Sequence, residues 1–159
     1  MAEFTVRTAE ETQALGRRLA RHLQAGDLIV LTGGLGAGKT TFTQGLGAGL
    51  DVAGQIASPT FVIARTHAPA AAGPGLVHVD AYRLQSLDEV DALDLDTDFE
   101  DSITVVEWGE GMVEQLSQDR LTVEIQRPRG AERDLDDDTR IITISGHGPR
   151  WAEVRLDEI

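Results

Sequence analysis

Cysteine is absent from the 159-residue sequence, which excludes disulfide bonds, thiolate chemistry and cysteine-ligated zinc. No run of 18 apolar residues occurs, so no transmembrane helix is predicted. The first 20 residues are polar and include several acidic side chains, which is not the pattern of a signal peptide. We therefore expect a cytoplasmic protein that has no association with a membrane.

Basic residues are scarce as well. The chain has 14 lysines and arginines against 27 aspartates and glutamates, which gives a formal net charge of −13 and an isoelectric point near 4.5. Proteins that bind a nucleic-acid backbone on their own usually present a basic surface. We expect no tight, direct binding of nucleic acid by the isolated chain, and a basic protein partner is the simpler interpretation of this charge.

The rest of the composition is that of an ordinary globular protein, with 41% apolar and 26% charged residues in a length typical of one domain. Strand patterns alternate with helix patterns around a fully apolar strand at Leu28–Leu31, which predicts a single α/β domain over residues 1–159. Two predicted strands, Phe61–Thr66 and Leu76–Asp80, are joined by a short loop and therefore form an antiparallel pair, so the sheet is mixed.

Helices are predicted from their caps and their apolar spacing. Thr8 and Glu11 have the spacing of a capping box, and the apolar stripe at Leu15, Leu19 and Leu23 follows them. A second helix is predicted over Lys39–Leu50. Further helices are predicted over Ser86–Leu93, Gly111–Leu116 and residues 149–159.

A phosphate-binding motif joins the apolar strand to the second helix. Residues Gly33–Thr40 match G-x-x-x-x-G-K-[ST], and the composition of the chain gives roughly one chance match in a thousand such sequences. Glycines allow the backbone to wrap a phosphate chain, and the helix N-terminus favours an anion. The residues predicted to contact the phosphates by their backbone are Gly34, Leu35, Gly36, Ala37 and Gly38.

Side chains of the same motif are assigned to the phosphates and to a metal. Lys39 is predicted to reach the β- and γ-phosphates, Thr40 to place its hydroxyl on Mg²⁺, and Thr41 to lie beside the α-phosphate. Lys39 is also the only lysine in the sequence. The lysine-containing motif that reads guanine in Ras-type GTPases is therefore absent, and ATP is the better nucleotide.

Acidic residues end two predicted strands, and either one fits the carboxylate that orients Mg²⁺ beside such a loop. Glu107 ends the strand Ile103–Glu107, and Asp80 ends the preceding one. Thr60 fits a switch threonine that senses the γ-phosphate, or a plain turn. Arg83 is a candidate arginine finger or a surface ion-pair residue, and Trp108 is a partner-facing anchor or a core residue.

Four segments together resemble one family. They are Gly36–Phe42 (GAGKTTF), Ser58–Phe61 (SPTF), His78–Arg83 (HVDAYR) and Glu107–Trp108 (EW), and the resemblance extends from Thr8 to about Trp151. The sequence is similar to the TsaE family, small bacterial ATPases of tRNA N6-threonylcarbamoyladenosine synthesis. The resemblance implies a P-loop NTPase-like three-layer sandwich in which helices flank a mixed, mostly parallel sheet. It also implies that the protein acts with TsaB and TsaD proteins, and that its hydrolysis of ATP supports the turnover of their complex.

The resemblance implies roles for individual residues. Lys39 and Thr41 bind phosphates, Thr40 and Glu107 hold Mg²⁺, and Asp80 orients water or lies behind the metal. Thr60 is the switch-loop residue. The nucleotide base lies near Thr8 and near Thr139.

Two other functions fit a P-loop in a chain of this size. A small-molecule kinase needs an acceptor site and an arginine-bearing lid, which Arg127, Arg129 and Arg133 are able to provide. A nucleotide-dependent binding switch needs neither.

Overall fold

The structure is a computed structural model, and it describes residues 2–33, 38–52, 64–67, 74–80, 102–107, 119–126 and 139–159. The helices and strands of this part of the chain follow one another in the order β1 Ala2–Val6, α1 Ala9–Ala20, β2 Leu28–Gly33, α2 Lys39–Leu50, β3 Ala64–His67, β4 Gly75–Asp80, β5 Ser102–Glu107, β6 Arg120–Gln126 and β7 Arg140–His147.

Within the described residues, seven strands form one sheet in the order β1-β7-β6-β2-β5-β4-β3. Strands β6, β2, β5 and β4 are parallel neighbours, whereas β7 pairs antiparallel with both β6 and β1, and β3 pairs antiparallel with β4. Five strands therefore run in one direction and two run against them. The predicted mixed, mostly parallel sheet is confirmed, and so is the antiparallel β3–β4 pair.

Helix α1 begins where the sequence predicts, at a Thr8 cap. The hydroxyl of Thr8 accepts a hydrogen bond from the backbone N–H of Glu11 at 3.1 Å. The Glu11 carboxylate accepts a hydrogen bond in return, although its donor is the backbone N–H of Arg7. This contact lies one residue before the one that a standard capping box makes. The predicted stripe faces inward, with Leu15 and Leu19 fully buried and Leu23 packed against the core.

The core lies between the two helices and one face of the sheet. Leu15, Leu19, Phe42 and Leu46 of the helices pack against this face, whose buried apolar side chains include Ile29, Leu31, Ile103, Val105, Leu121, Val123, Ile125, Ile142 and Ile144. On β2, β4 and β5 the opposite face is buried too, at residues such as Val30, Val79 and Val106. Strands β6 and β7, which pair antiparallel with each other, alternate between buried and partly exposed residues, as expected where one face of the sheet is solvated.

Glycine brings α1 and α2 into close contact. A Cβ atom built on Gly16 would lie 2.5 Å from the carbonyl oxygen of Phe42, and one on Gly45 would lie 2.8 Å from the carbonyl carbon of Gln13. The side-chain amide of Gln13 donates a hydrogen bond to Gln44 Oε1 at 3.1 Å across the same interface. The two backbones therefore approach to a distance that no larger residue at these positions permits.

The C-terminal segment departs from its prediction as one helix. It forms two 3₁₀ turns, Pro149–Trp151 and Leu156–Glu158, separated by extended backbone at Arg155. Trp151 and Leu156 are both buried. In an α-helix, residues five apart point in well-separated directions, so one continuous helix cannot place both side chains against the sheet.

Arg150 connects this segment to the turn between α1 and β2. Its guanidinium donates to both carboxylate oxygens of Asp27, each at 3.3 Å, and to the carbonyl of His22 at 2.8 Å. Its backbone N–H donates to Asp119 at 3.0 Å, and its guanidinium lies 4.2 Å from the centre of the Trp151 ring. One side chain thus joins the α1–β2 turn to the last turns of the chain.

Other predicted elements lie partly or wholly outside the described residues. These are the first residues of the strand Phe61–Thr66 and the helices predicted over Ser86–Leu93 and Gly111–Leu116. Among the helices that the structure describes, none is long and apolar enough to span a membrane.

Candidate functional site

The candidate site lies at the carboxyl edge of the parallel strands, where β2 leads toward α2. Strand β2 ends at Gly33, and α2 begins at Lys39 directly after Gly38. Gly38 has a φ of 111°, a backbone conformation that favours glycine. The intervening Gly34, Leu35, Gly36 and Ala37 lie outside the described residues. The predicted order of strand, loop and helix is confirmed on both sides of the motif.

Lys39 is held at the base of this connection. Its side chain is buried, with 7% of the residue exposed, and its ammonium donates a hydrogen bond to the carbonyl of Gly33 at 2.9 Å. The carbonyl of Lys39 accepts a hydrogen bond from the Thr43 hydroxyl at 2.9 Å, which braces the first turn of α2. A buried ammonium ion is therefore fixed beside the end of β2.

The N-terminus of α2 fits an anion. Gly38 provides no side-chain cap, and the first turn contains no acidic residue, whereas α1 has both a hydroxyl cap and acidic residues at its start. The first N–H groups of a helix have no partner within the helix, and they attract negative charge. Thr40 and Thr41 are half-buried in this first turn. The donor set consists of backbone N–H groups, hydroxyls and one ammonium, which is the chemistry that binds phosphate.

Glu107 lies one strand away at the same edge. It ends β5, where its backbone is in register with Leu31 of β2 on one side and with Asp80 of β4 on the other. The residue is only 4% exposed. Glu107 is thus level with Leu31, two residues before β2 ends. The acid that orients magnesium in P-loop proteins occupies a comparable position.

His78 contacts the Glu107 carboxylate, a role that the sequence analysis does not assign to it. Its Nε2 atom lies 2.9 Å from Glu107 Oε2, and the histidine is fully buried. The two residues are 29 positions apart in the chain. A sequence signal for this residue exists in the H-x-D spacing, because residues two apart in a strand share a face.

Thr8 and Thr139 flank the end of the β1–β7 pair at one corner of the same edge. Val6, the last residue of β1, pairs with Arg140, the first residue of β7, so the two threonines lie just beyond this pair. The carbonyl of Thr139 accepts a hydrogen bond from the guanidinium of the buried Arg140 at 2.9 Å. The structure therefore places both residues, which were predicted to lie near the nucleotide base, at the same end of one strand pair. Whether they contact a base stays a prediction.

The remaining predicted site residues are described only in part. Asp80 ends β4 beside Glu107, and its side chain is outside what the structure describes. Thr60, Arg83 and Trp108 also lie outside the described residues.

Comparison with known proteins identifies the family. The profile of the family described as "Threonylcarbamoyl adenosine biosynthesis protein TsaE" matches residues 6–135. This chain belongs to the TsaE family. The resemblance inferred from the P-loop, SPTF, HVDAYR and EW segments is thereby confirmed.

Individual relatives in the TsaE family cover most of the chain. A tRNA threonylcarbamoyladenosine biosynthesis protein TsaE from Streptomyces coelicolor is 59% identical over 87% of this chain and 92% of its own length. The protein of that name from Bacillus subtilis is 38% identical over 94% of this chain and 88% of its own. The crystal structure of YdiB from Bacillus subtilis superposes with a TM-score of 0.71 at 32% identity, covering 94% of this chain and 87% of that one. The α/β fold of the P-loop type is confirmed.

The site residues of this TsaE family member have the chemistry that suits a nucleoside triphosphate together with Mg²⁺. The α2 N-terminus and Lys39 supply the positive field for phosphates, and Glu107 supplies a hard oxygen ligand. Mg²⁺ in such sites is commonly bound by one or two protein oxygens together with substrate phosphates. Thr40 and Glu107 are the residues that would hold the ion.

Proposed function

We propose that this chain binds and hydrolyses ATP with Mg²⁺, and that this reaction supports synthesis of N6-threonylcarbamoyladenosine at position 37 of tRNA. The observation that carries the proposal is the position of Glu107. This buried carboxylate lies on the strand next to β2, within the edge that also holds the buried Lys39. Membership of the TsaE family supplies the biological context.

The proposed chemistry divides among the residues of the edge. Lys39 and Thr41 bind phosphate oxygens, and Thr40 with Glu107 orients Mg²⁺, which neutralises charge on the β- and γ-phosphates. Asp80 orients the attacking water or the groups around it. Thr60 is the switch-loop residue that senses the γ-phosphate. The corner formed by Thr8 and Thr139 receives the base.

Hydrolysis by the isolated chain is expected to be slow. Nothing in the sequence is an unambiguous arginine finger, and such a group supplied by a partner accelerates phosphoryl transfer by about 10³–10⁵. We propose that the partners are proteins of the TsaB and TsaD type, that tRNA contacts belong to them, and that the assembly acts in the cytoplasm. The net charge of −13 favours a protein partner with a complementary basic surface.

The test measures phosphate release from Mg·ATP by the chain alone, with TsaB and TsaD, and with a panel of small-molecule acceptors. We expect slow release alone and a large increase with both partner proteins. Release at tens of turnovers per second without partners would contradict the proposal. Transfer of the phosphate to an acceptor identifies a kinase, and nucleotide binding with no release under any condition identifies a binding switch.

A further inference from the structure

We propose that His78 is a positioning residue that holds the Glu107 carboxylate in the orientation required for Mg²⁺. This inference rests on the proposed nucleotide site. It assigns to a buried strand histidine a role in the metal dependence of that site, exerted through Glu107.

The contact is built by the register of the sheet. His78 on β4 pairs with Val105 on β5, so Glu107 lies one diagonal step toward the carboxyl edge. Residues two apart on a strand share a face, and the diagonal distance is within reach of a histidine and a glutamate. The resulting Nε2–Oε2 distance of 2.9 Å is that of a good hydrogen bond.

The direction of the hydrogen bond between His78 and Glu107 is compatible with a carboxylate that binds a metal ion. An ionised carboxylate only accepts hydrogen bonds, so Nε2–H of His78 is the donor. Within the described residues, Nδ1 of the ring is buried and has no hydrogen-bond partner. A hydrogen bond from an imidazole N–H orients the carboxylate without the permanent positive charge that a lysine or arginine partner would place beside it.

The hydrogen bond also leaves one oxygen of Glu107 for the ion. His78 contacts Oε2, and this contact does not involve the second carboxylate oxygen, Oε1. A glutamate side chain loses considerable rotamer freedom when it is fixed, and a partner that fixes it in advance removes this cost from metal binding. Residues behind a metal ligand that act in this way commonly change metal affinity or activity by about 10–100-fold when replaced.

The experiment compares two amides of different reach. The amide nitrogen of a glutamine lies near the position of histidine Nε2, whereas that of an asparagine lies near Nδ1 and falls short of Glu107. Binding of a fluorescent, non-hydrolysable ATP analogue is titrated in Mg²⁺ and in EDTA. We expect His78→Asn to weaken the affinity in Mg²⁺ by about 10–100-fold and to leave the affinity in EDTA within about twofold. We expect His78→Gln to recover most of the loss.

A double-mutant cycle and a control complete the test. In the Glu107→Gln background, His78→Asn is expected to cause no further loss, because the histidine acts through the carboxylate. Thr104→Val removes another buried polar group, one that is on the opposite face of β5 and has no partner among the described residues. This control is expected to change neither affinity.

The contrary outcomes distinguish a failure of the positioning role from a failure of the proposed metal site. Equal losses in Mg²⁺ and EDTA, an unaffected His78→Asn variant, or additive losses in the cycle would overturn the positioning role alone. A wild-type chain whose nucleotide affinity does not depend on Mg²⁺ would overturn the proposed metal site and this inference together.

Discussion

At the scale of single residues, Lys39 is distinguished by its residue type and by its position. It is the only lysine in the sequence, it is buried, and its ammonium is bound to the carbonyl that ends β2. A compact ammonium fits between backbone carbonyls and phosphate oxygens, whereas a planar guanidinium requires more width.

We predict that both Lys39→Ala and Lys39→Arg abolish nucleotide binding or hydrolysis while the fold is kept. The alanine variant loses the hydrogen bond that the charged ammonium donates to the Gly33 carbonyl, and such a bond contributes about 1.5–3 kcal/mol to the free energy of unfolding. Circular dichroism and nucleotide titration of both variants provide the measurement. An arginine variant with wild-type hydrolysis would show that the choice of lysine is immaterial.

Asp80 and Glu107 are in register on neighbouring strands, yet we assign them different tasks. We predict that Glu107→Ala weakens Mg²⁺-dependent nucleotide binding and abolishes hydrolysis. We predict that Asp80→Ala leaves binding nearly intact and lowers the hydrolysis rate by about 10²–10⁴, the usual range for a general acid–base group. Affinity for Mg·ATP and single-turnover hydrolysis, measured on both variants, test the assignment. The opposite pattern would exchange the two roles.

At the scale of elements, the α1–α2 interface depends on glycines that lie against the backbone of the partner helix. In an open helix position, a change from glycine to alanine stabilises by up to about 1 kcal/mol. At Gly45 the added methyl group would meet the backbone of Gln13. The steric cost therefore opposes the gain in helix propensity.

We predict that Gly45→Ala lowers the free energy of unfolding by about 1–3 kcal/mol, which is typical of overpacking. Urea denaturation measures the change. Ala48→Gly, at an exposed position of the same helix, calibrates the propensity effect and is expected to cost about 1 kcal/mol. An increase in stability for Gly45→Ala would mean that the helices separate without cost.

Local signals account for the elements that the sequence predicted well. The glycine-rich motif sets the start of α2, and its predicted bounds Lys39–Leu50 agree with the structure. Thr8 sets the start of α1 in the same way. Strand order has no such local signal, because β2 inserts between β5 and β6 through pairings distant in the chain. The His78–Glu107 contact depends on that order, so it was not predictable from either segment alone.

The C-terminal prediction was wrong for a related reason. Residues 149–159 contain enough helix-compatible residues to suggest a helix, but their conformation follows from where Trp151 and Leu156 find buried positions. Tertiary packing overrides local propensity here.

At the scale of the whole molecule, Arg150 and Asp27 connect the end of the chain to its first half. Burial raises the pKa of Asp27 above its usual value, although the Gln24 N–H and Arg150 favour the charged form. The native state therefore holds the Asp27 proton more tightly than the unfolded state does. The contribution of this group to stability is present below its unfolded pKa of about 3.8 and is lost as pH rises through its native pKa.

We predict that the Asp27→Asn variant gains stability relative to the wild type as the pH rises from about 4 to 7. The reason is that an aspartate at position 27 loses its proton in this range, whereas an asparagine has none to lose. Urea denaturation at several pH values gives this difference. Asp157→Asn, at an exposed position, is the matched control and is expected to show no such trend. A shift in favour of the wild type would mean that Arg150 outweighs burial.

The net charge of −13 leads to another prediction at this scale. The isolated chain is expected not to bind tRNA tightly, because the release of counterions that drives such binding requires many cationic contacts. Titration of labelled tRNA at two salt concentrations tests this. A salt-sensitive complex of sub-micromolar affinity would contradict it.

The pairing of β1 with β7 has a consequence for synthesis on the ribosome. Ala2 pairs with Ile144 and Val6 with Arg140, so β1 has no pairing partner in the described sheet until the much later β7 has been translated. Contacts so distant in the chain are slow to form, because a long loop must close first. A nascent chain that ends before Arg140 lacks the strand that β1 pairs with in the described sheet. The corner formed by Thr8 and Thr139 is thus completed only after β7 has been translated.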